Sequence, residues 1–474
     1  MNIKKRLISK DFVKFNGLTF ISVVCLKTTV HNDGMKKNTE ALCPVCRRRL
    51  PAEKTRKGFE VFLTRVCPEH GLFETKISKD ADRFFDKTFS VKGKPFTPSV
   101  SQKTGKCPDD CGWCDRHEQH ICTGLIEVTD VCNMACPVCY FGDKGANHIS
   151  VEEFGRRLET LLAVENGSLD VLQISGGECT LHPDFDRLVE TAVRAGVGRV
   201  LINTNGLKLA EDGVVLETVL RHKDKVEVYL QYDGADDDVY ADLRGRAMAG
   251  LKQRVLDRLE ERDVKVCLAA TVYRKNLKDL PDILRTACRR SNVTGVTFQR
   301  LEKTGAARES DLESVLQEDI LHALAQSGLM EYKDLIPLPC SHENCTSLGF
   351  LFCTSDRIYS LGDYVDFTKC KETISNRIAF DKTVLDYMKK NVCKCFVGKV
   401  LGDRFLLDRL QQFASAGEGA SYRDMKIVRI IVKNFMDAQT FDFERARKCC
   451  VGVSVGGGKV IPFCLYNNLK GMLP

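Results

Sequence analysis

No stretch of this sequence holds the ~20 consecutive apolar residues that a membrane-spanning helix requires, so a bundle of such helices is excluded. It has no internal repeat, which excludes solenoid and propeller arrays. It also has no low-complexity tract, and a chain that is 43% hydrophobic and 28% charged is globular rather than disordered. Charge of one sign is in small excess: 71 Lys and Arg against 64 Asp and Glu leave a net +7 over 474 residues. That balance suits an ordinary solvated surface, with some preference for anionic partners. There is no concentrated basic stripe interleaved with aromatics, so no nucleic-acid partner is expected. Met1 to Lys14 is basic and Gly17 to Leu26 apolar, but no small-residue cleavage site follows, so a secretory leader is not expected. The expected location is cytoplasmic, with peripheral contact at a membrane surface left open. Residues 1–39 are expected to be a disordered extension in which Cys25 has no role.

What the sequence has in excess is cysteine. There are 23, and many stand two or three residues apart. Such close pairs bridge to each other only under strain, and disulfide frameworks belong to short secreted chains. Clusters of this kind in a long, reduced chain point to metal.

The remaining residues divide into four regions. Residues 40–85 form a small cysteine module. Residues 86–123 are a polar linker ending in a second cysteine cluster. From 124 to 300, short apolar strands alternate with amphipathic helices, the pattern of parallel β/α units. The expected strands are Leu125–Thr129, Val171–Ser175, Arg199–Asn203, Val226–Tyr232, Val264–Val272 and Gly295–Gln299. Between them, Ser150 caps a helix with Glu153 three residues on, and Pro281 suits the first turn of another. Six units imply an open partial (β/α)6 barrel, whose site lies at the C-terminal ends of the strands. Residues 301–474 break the alternation, and helices are expected near 311–327, 381–390, 403–414 and 423–436.

The first strand runs into Cys132-Asn-Met-Ala-Cys136-Pro-Val-Cys139. Three thiolates can hold three irons of a 4Fe–4S cluster, which leaves the fourth iron open to a small chelating molecule. A zinc site would want a fourth ligand nearby. Ser175-Gly176-Gly177-Glu178 ends the second strand, and its glycines allow close backbone approach. Asn203-Thr204-Asn205-Gly206 ends the third strand. Gln231-Tyr232-Asp233-Gly234 ends the fourth, followed by Arg244-Gly245. These polar groups could equally be a buried network satisfied within the protein.

Three accessory sets remain. Cys43-x2-Cys46 with Cys67-x2-His70 has the spacing of a zinc-ribbon or rubredoxin-like knuckle for one mononuclear zinc or iron. The alternative is that His70 caps a turn and another cysteine completes the site. Cys107, Cys111, Cys114 and Cys122 supply four thiolates, enough for a complete 4Fe–4S cluster or for zinc. Cys340, Cys345, Cys464 and one of Cys449 and Cys450 fit a further cluster, with the other of that adjacent pair a bystander. Cys353, Cys370, Cys393 and Cys395 could substitute for some of these. Cys179, Cys267 and Cys288 are expected to be small buried residues.

The Cys132–Cys139 motif after a barrel strand, with the Gly-Gly-Glu segment one strand later, resembles the radical S-adenosylmethionine (SAM) superfamily. The resemblance implies that SAM binds the open iron and yields a 5′-deoxyadenosyl radical. It places Ser175, Gly176, Gly177 and Glu178 at the SAM amino group, and Asn203 and Asn205 at the ribose or carboxylate. It places Gln231, Asp233 and Arg244 at the ribose, carboxylate or substrate. Family members often carry an aromatic residue before the third cysteine; here Val138 stands there, and Tyr140 is the candidate for packing the adenine. The runs Lys106–Cys114, His120–Cys132, Asn434–Asp437, Phe443–Cys450 and Ile461–Asn467 are similar to the archaeal tetraether lipid synthase and dihydropterin methylase-like family. That likeness implies a C-terminal iron–sulfur domain over 301–474, two auxiliary 4Fe–4S clusters, and an electron donor such as ferredoxin or flavodoxin. It implies coupling or alkylation of isoprenoid or alkyl lipid chains as the leading activity. Radical methylation of a dihydropterin or another small molecule is the alternative.

Overall fold

A computed structural model describes residues 12–15, 18–21, 34–99, 107–108, 111–142, 145–376, 406, 409, 425–470 and 472. Strands β1 (Phe12–Phe15) and β2 (Leu18–Ile21) pair as a short antiparallel ladder. Strands β3 (Lys36–Leu42), β4 (Arg49–Lys57), β5 (Glu60–Cys67) and β6 (Gly71–Ser78) form an antiparallel meander. β5 alternates buried and partly exposed residues, the mark of a sheet with one covered face. Its two ligand-bearing turns follow β3 and β5, so the meander brings Cys43, Cys46, Cys67 and His70 to one end.

That face is covered by the C-terminal part of the chain. Lys54, 1% exposed, pairs with Asp442 at 2.8 Å and Glu444 at 2.6 Å. Arg65 donates to Leu42 O at 2.9 Å and to Gln439 O at 2.9 Å. Arg49 donates to Cys107 O at 2.8 Å. Buried cations of this kind are tolerated only with partners in place, so the module is fixed to the segment that leads into Cys449.

The main sheet holds β7 (Thr123–Glu127), β8 (Val171–Ser175), β9 (Arg199–Thr204), β10 (Val226–Gln231), β11 (Val266–Val272) and β12 (Val293–Arg300), all parallel and in sequence order. These are the six expected strands. Ser150 Oγ accepts the Glu153 amide at the start of helix Val151–Val164, whose Phe154, Leu158 and Leu161 are buried against the sheet. Pro281 sits in the first turn of helix Leu280–Arg289. Two further helices, Val214–Arg221 and Asp237–Arg244, escape the sequence pattern.

The residues after 300 extend this same sheet at both edges. Beyond the short β13 (Ile336–Pro337) come β14 (Thr346–Thr354), β15 (Ile358–Ser360), β16 (Met425–Lys433), β17 (Val451–Gly456) and β18 (Lys459–Pro462). β16 lies parallel to β12, and β17 lies parallel to β7. β14 and β18 then add antiparallel edges. The helix expected near 423–436 is therefore replaced by strand β16. The cause is the β-branched run Ile427, Val428, Ile430, Ile431, Val432, which is stiff at χ1 and packs well between two strands. The helix expected near 311–327 is Gln317–Ala325. The helices expected near 381–390 and 403–414 lie outside the described residues apart from Leu406 and Arg409, as do Cys25, Cys393 and Cys395. No helix among the described residues is long and apolar enough to cross a membrane.

Candidate active site

The Cys132 loop leaves β7 and lies against the Gly-Gly-Glu segment that ends β8. Gly177 N donates to Thr129 O at 2.8 Å, and Glu178 N donates to Val131 O at 2.8 Å. The two glycines serve this contact. Gly176 has φ +134°, and a β-carbon there would meet Thr129 O at 2.3 Å; one on Gly177 would meet Val131 O at 2.3 Å. Alanine at 177 therefore must push the cysteine loop away. Since a 1 Å misplacement can cost ~100-fold in rate, Gly177→Ala is expected to lower 5′-deoxyadenosine formation by about that factor, read by chromatography of the nucleoside product.

Cys132, Cys136 and Cys139 are each half-buried around one cavity of about 210 Å³. Glu178, Asn203, Asn205, Gln231, Arg244 and Tyr140 border it as well. Burial pushes the Cys136 thiol up, against the pull of the neighbouring Arg244 guanidinium. The donor set fits an iron–sulfur cluster with one open iron: three thiols on one loop, and a backbone cradle beside them.

Several expected contact residues are held by the protein itself. Glu178, 2% exposed, accepts from Thr180 Oγ1 at 2.6 Å, Thr204 Oγ1 at 2.7 Å and Asn205 N at 2.8 Å. Its carboxylate thus fixes the end of β9 beside the cysteine loop. Asn205 Nδ2 reaches back to Asn133 Oδ1 at 2.8 Å. Asn203 donates to Ser175 Oγ at 2.9 Å, and the Tyr140 hydroxyl lies close to both residues while burial pushes its pKa up. Tyr140 also meets Phe463 edge-on, with ring centroids 5.8 Å apart.

Asp233 and Arg244 form a buried bidentate pair at 2.7 and 2.9 Å. Asp233 accepts Thr271 N at 2.9 Å, and Arg244 donates to Thr271 Oγ1 at 2.9 Å. With its amide oxygen turned inward, Gln231 accepts from Arg244 at 3.0 Å. Arg244 is thereby anchored with its charge beside Cys136.

Sequence reasoning missed the deeper wall and its support. Behind Asn205, Lys252, fully buried on helix Ala249–Glu261, donates to Asn205 O at 2.6 Å, and burial pushes its pKa down to about 7. Gln299 Nε2 donates to the Tyr229 hydroxyl at 2.7 Å. Gln173, Thr297, Arg429 and Lys433 also face the cavity. The available signal was period-two alternation, which puts Thr297 and Gln299, and Arg429 and Lys433, on one face of their strands.

The accessory cysteines are regrouped. Cys43, Cys46, Cys67 and His70 come together, with Cys46 and Cys67 sulfurs 3.9 Å apart and Cys67 Sγ 3.4 Å from His70 Nδ1. Tetrahedral zinc at 2.3 Å from each sulfur needs an S···S edge of about 3.8 Å, so these residues could hold one ion. Cys122 does not stay with the 107–114 set: its sulfur is 4.0 Å from that of Cys340, and Cys450 is within hydrogen-bonding reach of both. Cys449 faces Cys345 and Cys464 instead. Cys449 and Cys450 thus lie beside different thiol groups. Cys107 and Cys111 pack on the apolar cluster containing Cys464. Cys179 and Cys288 are buried as expected, Cys288 within reach of Cys353, whereas Cys267, also buried, borders the cavity.

Residues 126–287 match the radical SAM superfamily, and residues 35–79 match the HMPTM N-terminal zinc ribbon domain. The chain is 26% identical over 480 residues to 7,8-dihydro-6-hydroxymethylpterin dimethyltransferase of Methanocaldococcus jannaschii, covering 92% of this chain and 94% of that protein. It is 27% identical over 197 residues to mycofactocin maturase MftC of Mycolicibacterium smegmatis, covering 40% of this chain and only 48% of that one. Among solved structures, Streptococcus suis SuiB bound to S-adenosylmethionine aligns with TM-score 0.36 and 16% identity, over 44% of this chain and 43% of that one. The match over 126–287 spans the cysteine loop, the Gly-Gly-Glu segment and the Asp233–Arg244 pair, and the chain carries a radical SAM domain with a zinc ribbon before it.

Proposed function

We propose that this enzyme methylates a small polar heterocycle of the dihydropterin type by radical chemistry. The observation that carries the reading is the polar inner wall: Tyr229, Gln299, Gln173, Thr297 and Arg429 face the cysteine loop across the cavity. Buried hydrogen-bonding groups favour a ligand that can pair with them. The kinship over 92% of the chain with a protein named as a dihydropterin dimethyltransferase supports it. When bound, the cluster and SAM supply a 5′-deoxyadenosyl radical upon one-electron reduction. The chain's own residues then orient the partners. Cys132, Cys136 and Cys139 hold the cluster, with Arg244 as a fixed positive charge beside it. Asn203, Asn205 and Gln231 offer amides at the strand ends. Tyr140 and Phe463 form an aromatic wall that keeps water out.

A second reading, coupling of alkyl chains, is favoured by one observation. The C-terminal strands contribute an apolar side to the cavity: Leu338, Leu348, Ile431, Phe435 and Phe463. One experiment separates the two. Reconstituted protein under anaerobic conditions receives SAM, a reductant, and either a dihydropterin or a diether lipid, with products read by mass spectrometry. Methyl groups gained by the dihydropterin are expected; chemistry on the lipid alone would overturn the leading reading.

Three further assignments belong to the same proposal. Cys43, Cys46, Cys67 and His70 hold a single zinc or iron. Cys122, Cys340 and Cys450 serve one auxiliary 4Fe–4S cluster, and Cys345, Cys449 and Cys464 serve another, with Cys107, Cys111 and Cys114 supplying further thiolates. The electron comes from a ferredoxin- or flavodoxin-like donor. Metal analysis after reconstitution is expected to find about 12 irons per chain for three clusters, beside the knuckle ion. Cys67→Ser is expected to remove that ion and leave the cluster iron unchanged.

A further inference from the structure

His120 is 2% exposed and stands in the segment that leads into β7. Both of its ring nitrogens have defined neighbours. Nδ1 lies 2.8 Å from Glu165 Oε2, and Nε2 lies 3.4 Å from Cys122 Sγ. Glu165 is fixed in turn, because its other oxygen accepts the Ile121 amide at 2.6 Å. A carboxylate only accepts, so Nδ1 carries a proton. In the neutral ring that leaves the Nε2 lone pair on the side of Cys122. A carboxylate behind one ring nitrogen is how proteins orient a histidine whose other nitrogen binds metal.

The neighbourhood of Cys122 supplies the remaining donors. Its sulfur is 4.0 Å from that of Cys340, and Cys450 is within reach of both. The backbone ties the segments together. Cys122 N donates to Cys450 O at 2.9 Å, and the Gln119 side-chain amide donates to Cys340 O. His120, between Gln119 and Cys122, is therefore carried to the place where three thiols from three separate segments meet. Cys107 and Cys111 pack instead on the apolar cluster that contains Cys464, and Cys370 Sγ is turned to Asp366 O at 3.7 Å. Imidazole binds iron as well as zinc, and in Rieske centres it stands where other clusters have thiolate.

We propose that His120 Nε2 is the fourth ligand of the metal centre held by Cys122, Cys340 and Cys450, with Glu165 as the residue that positions it. This rests on the reading of those three thiols as one auxiliary 4Fe–4S site. It adds the ligand that completes the set and the direction in which that ligand moves the potential. Neutral imidazole in place of a fourth thiolate removes one negative charge, which favours the reduced cluster and raises its potential. The Lys433 charge, near Cys340 and Cys450, acts in the same direction.

Pulsed electron paramagnetic resonance reads nitrogen bound to iron directly. Reconstituted protein with zinc in the knuckle would be reduced with dithionite and measured without SAM, so that neither His70 nor the SAM amino group contributes. Protein made with ordinary histidine would be compared with protein made with heavy-nitrogen histidine. A strong nitrogen coupling that changes with the isotope is expected. His120→Ala should lose that coupling, and with it about four irons per chain, while the knuckle keeps its zinc. An unchanged isotope response in His120→Ala would mean that another histidine is the ligand, and would overturn the proposal. So would the absence of any isotope-sensitive coupling in intact protein that carries all three clusters, since His120 would then only donate a hydrogen bond to Cys122. This second result needs no variant, so a misfolded mutant cannot obscure it. Loss of one metal ion rather than four from His120→Ala would keep the ligand and overturn the cluster reading on which it rests.

Discussion

Cys136→Ala is expected to abolish 5′-deoxyadenosine formation while the protein stays folded. Cys136 lies mid-loop, half-buried, beside Met134 and the Tyr240–Met248 cluster. The loop's course is set elsewhere, by the bonds of Gly177 and Glu178 to Thr129 and Val131 and by the Ala306 amide on Cys139 O at 2.8 Å. Loss of one small side chain leaves those bonds intact. Loss of one thiolate out of three removes a direct ligand. Changes one shell further out typically cost 10–100-fold, so loss of a ligand itself should exceed that range. The check is paired: nucleoside product by chromatography and fold by circular dichroism. Retained product would show that these thiols do not hold the radical cluster.

Asp233→Ala is the second large effect, and it acts on stability. Arg244 is 7% exposed, and among the described residues Asp233 is its one ion-pair partner, since Thr271 and Gln231 are neutral. Breaking a buried pair on one side leaves an uncompensated charge, at a cost of about 3–5 kcal/mol. The thiolate form of Cys136 would recover part of that, because an adjacent cation favours it. Denaturant titration would measure the loss. The double replacement Asp233→Ala with Arg244→Met should be milder than Asp233→Ala alone, because no charge is stranded. Equal losses would mean that the pair is held by packing rather than by charge.

Much of this arrangement can be read from residues in order. The β7–β12 alternation follows from short apolar runs between amphipathic helices, and the motifs at the strand ends follow from their spacing. The zinc-ribbon knuckle is legible for the same reason: all four ligands lie in two tight turns of one meander. The remainder depends on contacts across hundreds of residues. Cys122 meets Cys450 because β17 returns to pair beside β7, and it meets Cys340 from the segment between β13 and β14. Nothing within the 107–122 run signals that return. The segment Met425–Lys433 carries a β-branched run that favours a strand, but its neighbours β12 and β14 lie far back in the chain, so its place in the sheet is not legible. Glu178 shows a different limit. Its place at the end of β8 is legible, yet the sequence does not reveal that Thr180, Thr204 and Asn205 saturate its carboxylate.

The central claim is that three thiolates leave one iron of the cluster open to SAM. The most direct test is electron paramagnetic resonance of the dithionite-reduced protein, recorded before and after SAM is added. To isolate the site, the auxiliary thiols Cys340, Cys345, Cys450 and Cys464 would be replaced by serine. The account predicts a cluster signal whose g-values shift on addition of SAM. A signal that SAM leaves unchanged would mean that the fourth iron already has a protein ligand, and would contradict it.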